Sequence, residues 1–500
     1  MRGSTIMKKG FNSKKYLKIQ TEEILKRVKK FDNKLYIEFG GKLIDDQHAS
    51  RVYPGFAPNI KLEVLKKLKD KLEVILCINA NDIEKHKTSA DHGITYDVEV
   101  LKLFSDLNRM GITANSVVIT LYKGQASAVN FINKLERNNI KTYIHTFTKG
   151  YPTDVDQIVS EEGYGANPYI ETTKPIVIVT APGAKSGKLG TCLSQLYHEY
   201  KRGIKAGYAK YETFPTWNLD LKHPVNVAYE AATADAKDSN MIDPFHLATY
   251  KKTTVNYNRD IEIFPVLQSI FEKIMGKPIY KSPTDMGVNM SGFCISDETV
   301  VIKSARVEVV RRYYKALCDY KEGLAEEETP QRIKLLMNEL KITIDERPVI
   351  AAAKDKTAKT TVPAFALELT KNKIVVGKET DVLTAPASCI INTIKSLAKI
   401  SDEIHLLSPT VLEPMINIKK EFYGDNNAKL NLQDVISGLS ILAPTNPTVE
   451  IALTKIKNLR GLDAHSSFIL SPSDTAMLRN LGINYTSEPE YYLNNIYLEN

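Results

Sequence analysis

Between Leu35 and Tyr200 short β-rich apolar runs alternate with stretches of helical period, and few folds accommodate that rhythm. The runs are Leu35–Phe39, Val74–Ile78, Ser116–Leu121, Thr142–Phe147 and Pro175–Val179. Leu62–Leu72, Asp97–Arg109 and Ala126–Asn138 lie between them, with apolar residues three and four apart. After the fifth run, Leu193, Leu196, Tyr197 and Tyr200 mark the inner face of one more helix. Strand and helix in alternation predict an α/β domain over 12–205, built on a doubly wound parallel sheet. From 206 to 345 the alternation fades into a mainly helical segment, with Val300–Leu324 and Gln331–Leu340 as amphipathic candidates on either side of an acidic turn.

From Arg347 the alternation returns, and 346–500 reads as a second α/β domain. Its strand candidates are Val349–Ala353, Ala364–Leu369, Ile404–Leu407, Leu439–Leu442 and Ser467–Leu470. Helix candidates are Ala385–Leu397, Val411–Phe422 and Thr448–Leu459. A length of 500 residues suits two to four domains, and 43% hydrophobic with 25% charged residues is ordinary for folded chains.

The net charge of +8 is spread over both signs and does not call for nucleic acid. Five scattered cysteines without a CxxC pair suit neither a zinc ribbon nor a disulfide framework. Lys and Glu interrupt every apolar run up to about Lys30, and no later segment has the roughly 18 uncharged apolar residues of a membrane span. Met1–Ser4, ahead of a second start-like Met7, is set aside from the fold reading. The expected location is a reducing cytoplasm, with no membrane contact.

The sharpest local signal is Ala181-Pro182-Gly183-Ala184-Lys185-Ser186-Gly187-Lys188, set between a strand and a helix. Small residues let backbone N–H groups approach an anion, the helix start adds partial positive charge, and Lys188 can neutralise phosphate oxygens. The turn is P-loop-like but departs from GxxxxGK[ST]: Pro182 holds the first glycine position, and Leu189 replaces the hydroxyl residue that would meet magnesium. Thr191 is the nearest substitute. Gly183, Ser186, Gly187, Lys188 and Thr191 are therefore the candidate ligand set for ATP or another phosphate-bearing molecule; a ligand-free glycine turn is the alternative.

A parallel sheet presents its ligand-binding loops beyond the carboxyl ends of its strands. The first such loop, Gly40–Arg51, offers Asp45, Asp46 and Arg51, while Gly124 follows the third strand. Asn79–Asp82 and Lys149 read as solvated loop polarity. In the middle segment, Glu212–Pro215, Asp243–His246, Asn256–Asp260 and Lys281–Asn289 mix polar residues with aromatics and prolines, as a substrate lining does. Arg259, Asp260, Lys281 and Asp285 are its leading candidates, and His223 and Asn226 read as caps.

Signals for other chemistry are weak. His198-Glu199 would need a second histidine at 202 for HExxH, where Arg202 stands, so no zinc-protease site is expected. Cys192 reads as a packing thiol. His465 has no carboxylate placed to form a recognisable triad.

The segments IEFGGKLIDDQHASRVYPGF, VTAPGAKSGKLGTCLSQLYHEYKRGIKAGYAKYETFP, HPVNVAYEAATAD, NMIDPFHL, TTVNYNRDIEIFPVL and YKSPTDMGVNM resemble a bacterial family of uncharacterised cytoplasmic proteins, family 371, from about Asn12 to the C-terminus. The resemblance implies a multi-domain α/β protein with a nucleotide-binding-like N-terminal part and a separate C-terminal part. Members have been labelled ATP-dependent zinc proteases, against which the missing second histidine argues.

The functional expectation is an ATP-dependent phosphoryl-transfer or ligase-type enzyme acting on a small polar substrate. Lys188 and the turn amides would hold phosphate, Asp45 or Asp46 magnesium, and Arg51 or Arg259 the transferring charge, with Asp285 in the same cleft. A non-catalytic metabolite sensor or interaction protein is the alternative. Expected partners are a small-molecule substrate and, optionally, further copies of the chain, without nucleic acid.

Overall fold

The computed structural model describes residues 8–89, 93–370, 373–422, 424 and 428–492. Met1–Ser4 and Met7 lie outside the described residues. The chain divides into two compact units, Met7–Ala305 and Arg306–Asn500.

The first unit is built on six parallel strands: β1 (Leu35–Phe39), β2 (Leu72–Asn79), β3 (Thr113–Thr120), β4 (Thr142–Ile144), β5 (Ile176–Thr180) and β6 (Gly207–Tyr211). They lie in the order β4-β3-β2-β5-β1-β6. The central strands are buried along their whole length: Val74, Ile75, Leu76 and Ile78 expose nothing. Burying each such side chain favours the fold by about 1.5–3 kcal/mol.

The sequence order explains the two-sided winding. From β1 the chain steps outward through β2, β3 and β4, returns to β5, then continues past β1 to β6. Right-handed crossovers put the outward connections on one face and the return on the other, so the connection after β5 leaves over the face opposite to those after β2 and β1. A crevice therefore opens beside the carboxyl end of β5. The Lys188–Lys201 helix that follows buries Cys192, Leu193 and Leu196 and packs on β1, β5 and β6.

Beyond residue 205 helices are interspersed with short strands. Gly207–Tyr211 extends the sheet as β6, and β7 (Asn240–Ile242) pairs antiparallel with β8 (Val255–Tyr257) in a small ribbon. Tyr and Lys in Gly207–Tyr211 obscure its strand character, since the apolar surface there belongs to rings.

The second unit holds β9 (Ala364–Thr370), β10 (Lys373–Lys378), β11 (Asp463–Ser466) and β12 (Asn484–Ser487), ordered β10-β9-β11-β12. Only β11 and β12 pair in parallel. Arg347, 1% exposed, forks onto both Asp463 oxygens at 2.8 Å and donates to Thr486 and the Ala464 carbonyl.

Four expected strands of this unit fail. Val349–Ala353 lies in the Pro348–Thr360 helix, where Pro348 starts the first turn and consecutive alanines favour helix. Leu439–Leu442 closes the Leu432–Leu442 helix, whose Asn431/Asp434 capping box fixes its start. Ile404–Leu407 is a bend between helices, and Ser467–Leu470 follows the strand rather than forming it.

Candidate functional site

At the carboxyl end of β5 the chain turns through Ala181–Gly187 before the long helix begins at Lys188. Gly187 has φ +81°, and a Cβ there would stand 2.7 Å from Thr120 Cβ. At Gly183 a Cβ would stand 2.5 Å from the Tyr96 hydroxyl. Both positions thus require glycine because neighbouring chain presses on the turn.

Side chains from adjacent strand ends hold the turn from behind. Asn79 Nδ2 donates to the Lys185 carbonyl at 3.1 Å, and Thr120 Oγ1 to the Ser186 carbonyl at 2.8 Å. Ser186 Oγ donates to the Gly183 carbonyl at 3.0 Å. Lys188 curls back, its Nζ 3.4 Å from both the Gly183 carbonyl and Ser186 Oγ. Gly187 offers no side-chain cap, and the N–H groups of Gly187, Lys188, Leu189 and Gly190 have no protein acceptor among the described residues. A neighbouring recess is lined by Lys42, Leu43, Glu99, Lys102 and Pro182.

Two strands away, the end of β6 carries a second polar centre. Lys210 Nζ lies 2.5 Å from Asp260 Oδ2 and 3.2 Å from Glu212 Oε2, and Lys210 sits beside Glu38 in the β1–β6 register. Glu38 in turn accepts from the Tyr208 hydroxyl at 2.6 Å. Burial, reinforced by the Asp260 and Glu38 charges, keeps the Glu212 carboxyl above the usual carboxylate range despite Lys210. Burial acts against the Lys210 ammonium, yet Asp260, Glu212 and Glu38 hold its pKa above the ordinary lysine value. Glu212 is in place because Gly40 has no side chain: a Cβ there would collide with the Glu212 carboxylate. Lys210, Glu212 and Asp260 line a recess shared with Trp217, Asn256 and Thr284.

The remaining candidates are placed as follows. Gly40–Arg51, Gly124 and Gly183–Lys188 follow β1, β3 and β5, so the parallel sheet brings all three loops to one edge. Asp45 Oδ1 accepts from Gln47 at 2.6 Å, and Arg51 sits in the last turn of the Gln47–Val52 helix. Asp46 caps that helix through the Ala49 N–H and pairs at 2.7 Å with Lys61, itself 1% exposed. Burial would raise the Asp46 pKa, but Lys61 and the Ala49 N–H hold it below the ordinary value.

Thr191 is buried and accepts from Cys77 at 3.5 Å. Arg259 pairs with Asp238 at 3.2 Å. Asp285 accepts from Tyr250 Oη at 3.0 Å and from the Lys281 N–H at 2.9 Å, so it closes a local turn. The Lys210 recess includes Asp260 and Thr284 but not Asp45, Arg51 or Lys188. Lys210 and its strand neighbour Glu38 escaped the sequence reading. The signal was the alternation in Gly-Tyr-Ala-Lys-Tyr, which places a lysine inside a strand.

His223 caps its helix through the Val225 N–H, and Asn226 is buried and bonded to Thr216. His198 contacts the Asn167 carbonyl at 2.7 Å, while Glu199 accepts from Tyr36. Burial pushes the Cys192 thiol well above its ordinary pKa, as packing requires. In the second unit His465 lies 3.3 Å from Glu488, fully buried, and burial lowers its pKa.

Fold and edge together define a two-unit α/β protein, with a glycine turn and a charged recess along the carboxyl edge of a six-stranded parallel sheet. The chain belongs to the family described as domain of unknown function DUF1846, whose N-terminal model matches residues 9–341 and whose C-terminal model matches 345–497. It is 55% identical to a UPF0371 protein of Clostridium botulinum (strain Alaska E43 / Type E3), over 99% of this chain and 100% of that one. A UPF0371 protein of Clostridium tetani is 54% identical over the same shares. One from Clostridioides difficile is 53% identical, over 98% of this chain and 100% of the relative. Among the described residues no helix is long and apolar enough to cross a membrane.

Proposed function

We propose that the carboxyl edge of the six-stranded sheet binds a phosphate-bearing ligand, a nucleotide or a phosphorylated metabolite, and that the protein transfers phosphate or couples its cleavage to ligation of a small polar substrate. The observation that carries this reading is the open start of the Lys188–Lys201 helix. Its first N–H groups lack acceptors among the described residues, and the Lys188 ammonium folds over the turn at the crevice beside β5. Amides, helix dipole and ammonium belong to the same turn, and an anion would be held by all three. Lys188 and the Gly187–Gly190 amides would hold phosphate oxygens, and Glu212, Asp260 and Lys210 would orient the second substrate.

The proposed magnesium ligands do not fit their part. Asp46 is closed onto Lys61 and a helix cap, Thr191 is buried against Cys77, and no group of three metal-ligating side chains is assembled among the described residues. No step is therefore routed through a metal. The closed Asp46–Lys61 pair favours the second reading, a metabolite sensor without turnover.

Incubating the purified protein with ATP, magnesium and a metabolite pool separates the two. Product formation is expected, whereas saturable ATP binding without any product would leave the sensor. Absence of binding by ATP, pyrophosphate and sugar phosphates alike would overturn both.

A further inference from the structure

We propose that the phosphate-bearing ligand is a nucleotide and that its base lies in the recess beside the glycine turn, between the loop after β1 and the Tyr96–Arg109 helix. This rests on the phosphate-ligand reading above and narrows it from any phosphorylated metabolite to a nucleotide.

Position is the first argument. The recess ends on Ala181 and Pro182, and the next residue, Gly183, has the carbonyl on which the Lys188 ammonium rests. Turn and recess are thus consecutive stretches of one chain, at the carboxyl edge where an open parallel sheet takes its ligands. The helix runs along both. Tyr96, at its start, closes on Gly183. Glu99, Lys102, Leu103 and Asp106 follow at three- and four-residue spacing, and that face lines the recess.

The lining is the second argument. Leu43 and Ile44 after β1, Leu103 from the helix and Pro182 from the turn give apolar walls on three separate elements. Ile44 and Leu103 are only half-buried, so apolar surface is left open at the sheet's ligand edge. Charges in the lining balance: Lys42 and Lys102 stand against Glu99 and Asp106, and Lys42 Nζ is already engaged by Glu99 at 3.0 Å and Ser89 at 3.1 Å. A second phosphate would find no excess of positive charge there, and a polyol would lose hydrogen bonds to water against leucine and proline. A heteroaromatic base asks for what is present, apolar contact on its faces and a few polar groups at its rim.

Calorimetric titration of the full chain with ADP, GDP, CDP and UDP, beside methyl diphosphate, tests this, since methyl diphosphate has nearly the same charge and lacks the nucleoside. At least one nucleotide is expected to bind tenfold or more tighter than methyl diphosphate. Leu103→Trp, which fills the recess from a half-buried position, is expected to erase that advantage and leave methyl diphosphate affinity unchanged; Ile44→Trp serves if that variant does not fold. No nucleotide tenfold tighter than methyl diphosphate, or an advantage that survives in a folded variant, would overturn the proposal. Lys188→Ala keeps the readings apart: methyl diphosphate binding that this variant weakens, without any nucleotide advantage, rejects the base recess alone. Nucleotide binding lost in Leu103→Trp but unchanged in Lys188→Ala rejects the phosphate turn alone.

Discussion

Lys188 and Asp46 are both charged groups at strand ends, yet their surroundings assign them opposite tasks. Lys188 rests on long contacts to its own turn, so a ligand can take it over without leaving a buried group unpaired. Lys188→Ala is expected to weaken pyrophosphate binding by about 1.5–3 kcal/mol, the worth of a charge-assisted hydrogen bond, with the melting temperature unchanged. Calorimetric titration beside thermal unfolding checks both halves.

Asp46 is the reverse case, a buried carboxylate paired with the buried Lys61 ammonium. Lys61→Met strands that charge and is expected to cost about 3–5 kcal/mol in denaturant unfolding. The folded pKa of Asp46 lies below its unfolded value, so the pair stabilises above about pH 4 and its contribution is lost as pH falls through the folded pKa. Acid titration of stability should show this loss in the parent protein and not in Asp46→Asn.

At the scale of elements, two glycines flanking the same sheet separate packing from function. A Cβ at Gly207, at the start of β6, would enter the Phe31 ring, which is buried and has no room to yield. Gly207→Ala should cost about 1–3 kcal/mol by overpacking. At Gly40 the obstacle is the end of a flexible glutamate, so Gly40→Ala should unfold near the parent temperature while Glu212 is displaced from Lys210. Equal destabilisation of the two variants, measured by thermal melts, would contradict the account of Glu212.

What the sequence made legible follows the same physics. β1 is found at Leu35–Phe39, as the apolar run marks it, because a central parallel strand needs both faces apolar. β11, Asp-Ala-His-Ser, is equally central in its sheet but is filled by hydrogen-bonded polar groups: His465 meets Thr486, and Asp463 meets Arg347. No apolar pattern reveals such a strand. The glycine turn between β5 and its helix was legible because such turns depend on local residues. The Lys210–Glu212–Asp260 centre was only half legible: Glu212 and Asp260 stand in polar segments rich in aromatics, whereas Lys210 lies inside a strand.

For the whole molecule, the two units make separate claims on stability. Arg347→Met leaves Asp463 without its fork and should cost about 3–5 kcal/mol in the C-terminal unit. Hydrogen exchange should then quicken in β11 and β12, while pyrophosphate binding at Lys188 is retained. Loss of that binding would mean that the units do not hold their structures independently.

The order β5-β1-β6 also acts as a ruler. One strand separates the turn that starts at β5 from the carboxylates at β6, and two strand spacings come to about 10 Å. A single molecule with a phosphate at one end and a polar group suited to the Lys210 centre at the other, joined by a spacer of that reach, would engage both positions and gain from the effective concentration of its second end. Shorter and longer homologues would fall back to the affinity of one end. A series of such compounds would therefore measure, from affinity alone, how far apart this protein holds the two groups it is proposed to bring together.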